Sequence, residues 1–206
     1  MLKILETLEQ DSSITPKFED IFKPLEVEME KIKVVILDSH PYTSEATGYA
    51  LETASGKVTP TLKVVFTSLL KSGLSTTLRK DGNLQDWVDQ GVLLLNSSFT
   101  TKKGYSDVHL HYWTPVIVEI LNKLQQSEQP VAFLLLGSTA QAHCLLTQPY
   151  MKEPKYHLYA PHPTQEIYGR LKFSDRDDFA RVNQFLLDYN QTPIIWDTNL
   201  PKTTRS

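Results

Sequence analysis

Four short stretches hold most of the residues able to do chemistry: Asp38-Ser39-His40-Pro41-Tyr42, Asn96-Ser97-Ser98, Gly137-Ser138 and Pro161-His162-Pro163-Thr164. Together they supply a carboxylate, two imidazoles, an amide and a phenol. An imidazole in a cleft suits general acid–base work or the stabilisation of a departing anion. An asparagine offers a donor and an acceptor side by side, which matches the edge of a nucleobase rather than a featureless apolar ligand. Gly137-Ser138 is placed to open a helix, whose free N–H groups suit a phosphate. Taken singly, each has a plainer reading: the Asn as a turn former or cap, His-Pro as an extended turn, Tyr42 as core. Their recurrence after successive apolar runs is what sets them apart.

Those runs are residues 33–37, 92–95, 131–136 and 156–160. Continuous rather than alternating hydrophobicity predicts strands covered on both faces, as in a parallel sheet. Ligands of such sheets bind beyond the carboxyl ends of the strands, where the polar stretches fall. Helical patterns lie between. Thr59-Pro60 precedes Leu62, Val65, Phe66, Leu69 and Leu70, and Thr114-Pro115 precedes Ile117, Ile120, Leu121 and Leu124. Ser138 reads as a cap before Ala142, Leu145 and Leu146, and Ser174 with Asp177 resembles a capping box before Phe179, Val182, Phe185 and Leu186. The segment before Lys31 reads as helical, interrupted at Pro24, and residues 198–206 as a loose tail. The expected fold is α/β: a central four-stranded, mostly parallel sheet with helices on both faces, in one domain spanning residues 1–206.

The chain has 206 residues, 40% of them hydrophobic, and no apolar run approaches the roughly 20 residues of a membrane span. A net charge of −3 argues against holding nucleic acid by phosphate neutralisation alone, while leaving room for a local basic patch. The single Cys144 has no disulfide partner, and His143-Cys144 lacks the companions a zinc site needs. Neither a metal nor a cofactor is expected. The start, MLKILETLEQDSS, carries no secretory pattern, so a cytoplasmic monomer is expected.

The chain also resembles the family 1 uracil-DNA glycosylases across about residues 33 to 197. VVIL before His40-Pro41-Tyr42 is similar to that family's VVILGQDPYH, WVDQGVLLLNSSFT to WAxQGVLLLNxxLT, and FLLLGSTAQ to FLLWGxxAQ. APHPT resembles APHPS, TPIIW resembles the closing PIDW, and Tyr112-Trp113 stands at the family's Gly-Trp. The resemblance implies DNA as partner and excision of uracil from a base flipped out of the stack. It also implies roles: Asn96 reading the uracil edge, His162 stabilising charge on the uracil oxygen, and Tyr42 barring the thymine methyl. Thr61, Ser138 and Thr164 would be backbone-binding hydroxyl or helix-start groups.

Three positions differ from the family pattern. His40 stands where that family has the water-activating aspartate, Leu51 where it has a stacking phenylalanine, and Glu166, followed by Ile167, where it has a leucine wedge. A neutral imidazole supplies no negative charge to a developing oxocarbenium ion. Leucine offers no π face, forgoing on the order of 1–3 kcal/mol of stacking per base. A carboxylate at position 166 would be repelled by phosphates. The favoured expectation is therefore a homologue with uracil excision lost or strongly reduced, retained for binding nucleic acid or a protein partner. The alternatives are an active glycosylase for uracil or a modified pyrimidine, with His40 or Asp38 handling the water, and a protein-interaction domain that does not bind DNA.

Overall fold

A computed structural model describes residues 8, 10–166 and 172–197. Its centre is a four-stranded parallel sheet of β2 (Val34–Asp38), β3 (Val92–Asn96), β5 (Val131–Leu136) and β6 (Lys155–Ala160), in the order β3-β2-β5-β6. Each apolar run predicted as a strand forms one. Alternate residues of β2, β3 and β5 feed opposite layers; β6, at the edge of the sheet, buries Leu158 and Ala160 on one face but leaves Tyr159 exposed on the other, so the expected burial on both faces does not hold there. Val34, Ile36, Val92, Leu94, Ala132 and Leu134 pack with α1 (Pro60–Lys71), the short α2 (Gln85–Val88) and α5 (Asp178–Asp188). Val35, Leu37, Leu93, Leu95, Phe133 and Leu135 pack with α3 (Leu110–Gln126) and α4 (Gly137–Leu145). Burial on both faces is why β2, β3 and β5 read as continuous rather than alternating. Each such Val, Leu or Ile side chain stabilises the fold by about 1.5–3 kcal/mol relative to exposure.

Helix starts follow the sequence signals unevenly. α1 begins as expected, with Thr59 accepting from the Leu62 N–H at 3.2 Å and Pro60 at the first position. Thr114-Pro115 does not open α3, which starts one turn earlier at Leu110 and runs through Pro115. The Thr114 hydroxyl donates instead to the Leu110 carbonyl at 2.9 Å, a back-bond available only inside a helix. Ser138 caps nothing: α4 starts at Gly137, and Ser138 lies in its first turn. Ser174 sits in a separate 3₁₀ turn, Phe173–Asp175, so the expected capping box does not form.

The segment before Lys31 is not one broken helix. The described residues Leu8 and Gln10 are helical, as expected, and residues 1–7 and 9 lie outside the described residues; from Ile14 on the segment forms strand β1 (Ile14–Thr15) and three 3₁₀ turns, Phe18–Asp20, Lys23–Glu26 and Met29–Lys31. β1 pairs antiparallel with β4 (Thr101–Lys102). This small sheet steadies the loop after β2, because the Thr15 hydroxyl donates to the Tyr42 carbonyl and the Gly104 N–H to that of Thr43. The tail 198–206 lies outside the described residues. Among the described residues no helix is long and apolar enough to cross a membrane.

Cys144 is fully buried under α3, where the Gln125 amide donates to its sulfur at 3.4 Å. Burial pushes its thiol up to about 12. The unfolded thiol ionises near its ordinary pKa while the folded one resists, so this contribution to stability is present below about pH 8.5 and fades as pH rises toward 12. Native protein at pH 8 should therefore resist a thiol-alkylating reagent that labels the urea-unfolded chain within minutes, as mass spectrometry would read.

Candidate active site

Strand register gathers the polar stretches at one end of the sheet. Asp38 is level with Asn96 across the β2–β3 pair, and Leu136 with Ala160 across β5–β6. The chain leaves β5 into Gly137 and leaves β6 into Pro161-His162. A cavity of about 380 Å³ opens there, within the range of small-ligand pockets. Asp38, His40, Tyr42 and Leu51 line one side, and Ser138, His162 and Thr164, with Thr61 from α1, line the rest.

His162 is held at both ring nitrogens. The Thr164 N–H donates to Nδ1 at 3.1 Å, and the Thr164 hydroxyl lies 2.6 Å from that nitrogen. Nε2 donates to Asp38 Oδ1 at 2.8 Å. Burial works to lower the His162 pKa, but the Asp38 carboxylate, through its hydrogen bond and its charge, holds it above the ordinary histidine value. Thr164 acts the other way: its N–H needs the Nδ1 lone pair, which an imidazolium lacks. The ring in this arrangement is thus neutral, with its proton on Nε2.

Asp38 is the last residue of β2 and is buried; the same Oδ1 also accepts from the Ser39 N–H at 2.8 Å. His40 sits on the rim. Its Nδ1 donates to the Pro41 carbonyl at 3.0 Å, which leaves Nε2 as the acceptor, 4.0 Å from the Asp107 carboxylate. Tyr42 shares a 2.6 Å hydrogen bond with Thr59, and burial raises its pKa, keeping it a neutral phenol. Thr59 thereby caps α1 and fixes the tyrosine at once.

Leu51 is 3% exposed and adopts a left-handed backbone, φ 69°, a conformation that costs a β-carbon-bearing residue about 1–2 kcal/mol. Its neighbours hold it there: the Ala50 N–H donates to the Leu94 carbonyl, and the Glu52 carboxylate accepts from the Leu84 N–H at 2.6 Å. Strain of this kind concentrates where a side chain must be presented to a site.

Two predicted site residues do not line the cavity. Asn96 is 1% exposed, beside Asp38, and neither its Oδ1 nor its Nδ2 has a hydrogen-bond partner among the described residues. An unsatisfied buried polar group costs about 1–3 kcal/mol. Glu166 is turned away: its carboxylate accepts from the Ser174 N–H at 3.1 Å and the Ser174 hydroxyl at 2.5 Å. A carboxylate with two donors from its own chain is not presented to phosphates, and this also explains why Ser174 caps no helix. Ile167, next to it, lies outside the described residues.

The sequence did not expose the part played by Gly137. At φ +82° it occupies the left-handed region, and an added β-carbon would lie 3.1 Å from that of His162. Gly137→Ala should lower stability by about 1–2 kcal/mol in denaturant titrations and shift the His162 ring resonances in NMR spectra. His143 and Cys144 share no metal-ligand set, and no group of three His, Cys, Asp or Glu able to hold a metal occurs among the described residues.

No protein-family model matches the chain. Among curated proteins, the uracil-DNA glycosylase of Idiomarina loihiensis is 31% identical over 206 residues, spanning 93% of this chain and 89% of that one. The chain belongs to the uracil-DNA glycosylase family. A second uracil-DNA glycosylase, from Geobacillus sp. strain WCH70, is 33% identical over 95% of this chain and 88% of its own. The solved mimivirus uracil-DNA glycosylase superposes with a TM-score of 0.84 at 27% identity, covering 95% of this chain and 79% of that one. Its Y322F variant, crystallised in complex with UGI, gives 0.83. The fold is the uracil-DNA glycosylase fold.

Proposed function

We propose that the protein hydrolyses the N-glycosidic bond of uracil, or of a modified pyrimidine, in DNA, acting on a base turned out of the stack into the strand-end cavity. The carrying observation is the strand-end cavity, where Asp38, His40, Tyr42, Leu51 and His162 meet beside Thr61, Ser138 and Thr164. Asn96 is buried next to Asp38, outside that lining, and among the described residues its two amide atoms have no partner, so a base edge that reached it would satisfy both. The relatives named uracil-DNA glycosylase support this reading over one in which excision is lost.

In this reading Asn96 reads the base edge and His162 offers its Nε2–H to the charge gathering on a base oxygen as the bond breaks. Tyr42 bars a methyl group and Leu51 covers the base without stacking. His40 handles the water: Nδ1 is committed to the Pro41 carbonyl, so Nε2 takes the water proton as oxygen joins the anomeric carbon, and Asp107 steadies the imidazolium that results. Thr61, the exposed Ser138 at the start of α4, and Thr164 contact the strand's backbone. Glu166, tied to Ser174, contributes no wedge. The protein works as one domain and as a monomer in the cytoplasm.

The test is uracil release from a single-stranded oligonucleotide by the wild type and by His162→Ala. Release that disappears in the variant supports the reading. No release from a panel of modified pyrimidines, alongside DNA binding that weakens with salt, would favour a binding protein without excision, in line with an imidazole standing where a carboxylate is expected.

A further inference from the structure

His162 has one proton to give, and it is already given. Thr164 occupies Nδ1 with its N–H, so the only ring donor is Nε2–H, and this points at Asp38 Oδ1 at 2.8 Å. The pairing spans 124 residues and is built in from both sides. Asp38 is fixed as the last residue of β2, with the Ser39 N–H on the same oxygen. The His162 ring is backed by Gly137, whose missing side chain lets the two loops approach.

A base that meets His162 with a carbonyl oxygen must therefore take the N–H from a carboxylate, and the carboxylate then faces that oxygen as a second acceptor. We propose that Asp38 is a specificity-determining residue that competes with the base for the single N–H of His162. It weakens binding of bases that present only a carbonyl there. This rests on the glycosylase reading and concerns how strongly the same cavity takes its base. In this role Asp38 acts through His162.

The experiment titrates free uracil into the whole protein by calorimetry, for wild type, Asp38→Ala, Asp38→Asn and Asn96→Ala, with ¹⁵N spectra following the His162 ring. Asp38→Ala is expected to bind uracil on the order of 10–100-fold more tightly, the worth of a charge-assisted hydrogen bond no longer displaced. Asp38→Asn keeps a neutral acceptor in place and should fall between. The Nε2 resonance should move on adding uracil in Asp38→Ala, and Asn96→Ala should bind worst. Wild-type binding that is unchanged or weakened in a folded Asp38→Ala overturns this inference alone. Absence of uracil binding in every form removes the glycosylase reading as well.

Discussion

Replacing Asn96 with alanine is expected to lower base release by two to three orders of magnitude, about the loss seen when one aimed hydrogen-bond donor is removed from a reacting site. The same position should behave oppositely in stability. Asn96 is 1% exposed, and neither amide atom has a partner among the described residues, so the fold tolerates a desolvated group that does nothing for it. Asn96→Leu, which keeps the branched outline with somewhat larger methyl groups in place of the amide atoms, should unfold at a higher denaturant concentration than wild type, by about 1–3 kcal/mol. Alanine relieves the same penalty but leaves a cavity, so it should gain less. Paired measurement of base release and urea unfolding on the two variants checks both halves. A destabilised Asn96→Leu would show that the amide is paired in solution and belongs to the scaffold.

The second large effect is expected at His40. Its Nδ1–H is spent on the Pro41 carbonyl, and its Nε2 is left as an acceptor near Asp107, the arrangement of a general base. His40→Ala should lower base release by roughly 10²–10⁴-fold, the usual worth of a positioned base, with little change in DNA affinity. His40→Asp should meet or exceed the wild-type rate, because a carboxylate accepts the water proton and adds negative charge near a developing sugar cation. Single-turnover assays with saturating enzyme separate this from binding. If His40→Ala keeps the full rate, another group handles the water.

The layout of the sheet was readable because a strand buried on both faces leaves a continuous apolar run, as β2, β3 and β5 do; the fourth run also became a strand, but an edge one whose outer face is partly exposed. The Thr59-Pro60 cap was readable for a similar reason: its hydrogen bond is local. Thr114-Pro115 carried the same signal and misled, since a threonine-proline pair also fits within a helix when the hydroxyl bonds back to Leu110. Ser174 misled because its better partner, Glu166, is not a neighbour in its own turn. Before Lys31 short apolar spacings suggested a helix, yet pairing with Thr101–Lys102 drew Ile14–Thr15 into a strand.

By itself the sequence determined which chemical groups stand at the strand ends, and that those ends share one side of a parallel sheet. Hydrophobic periodicity is a short-range property and survives in a linear string. Tertiary structure alone decided how the groups are paired: His162 with Asp38, Glu166 with Ser174, His40 near Asp107, and Asn96 with no partner among the described residues. Each pairing depends on which loops the strand register brings within hydrogen-bond reach, and a contact across 124 residues leaves no trace in the local pattern of either partner.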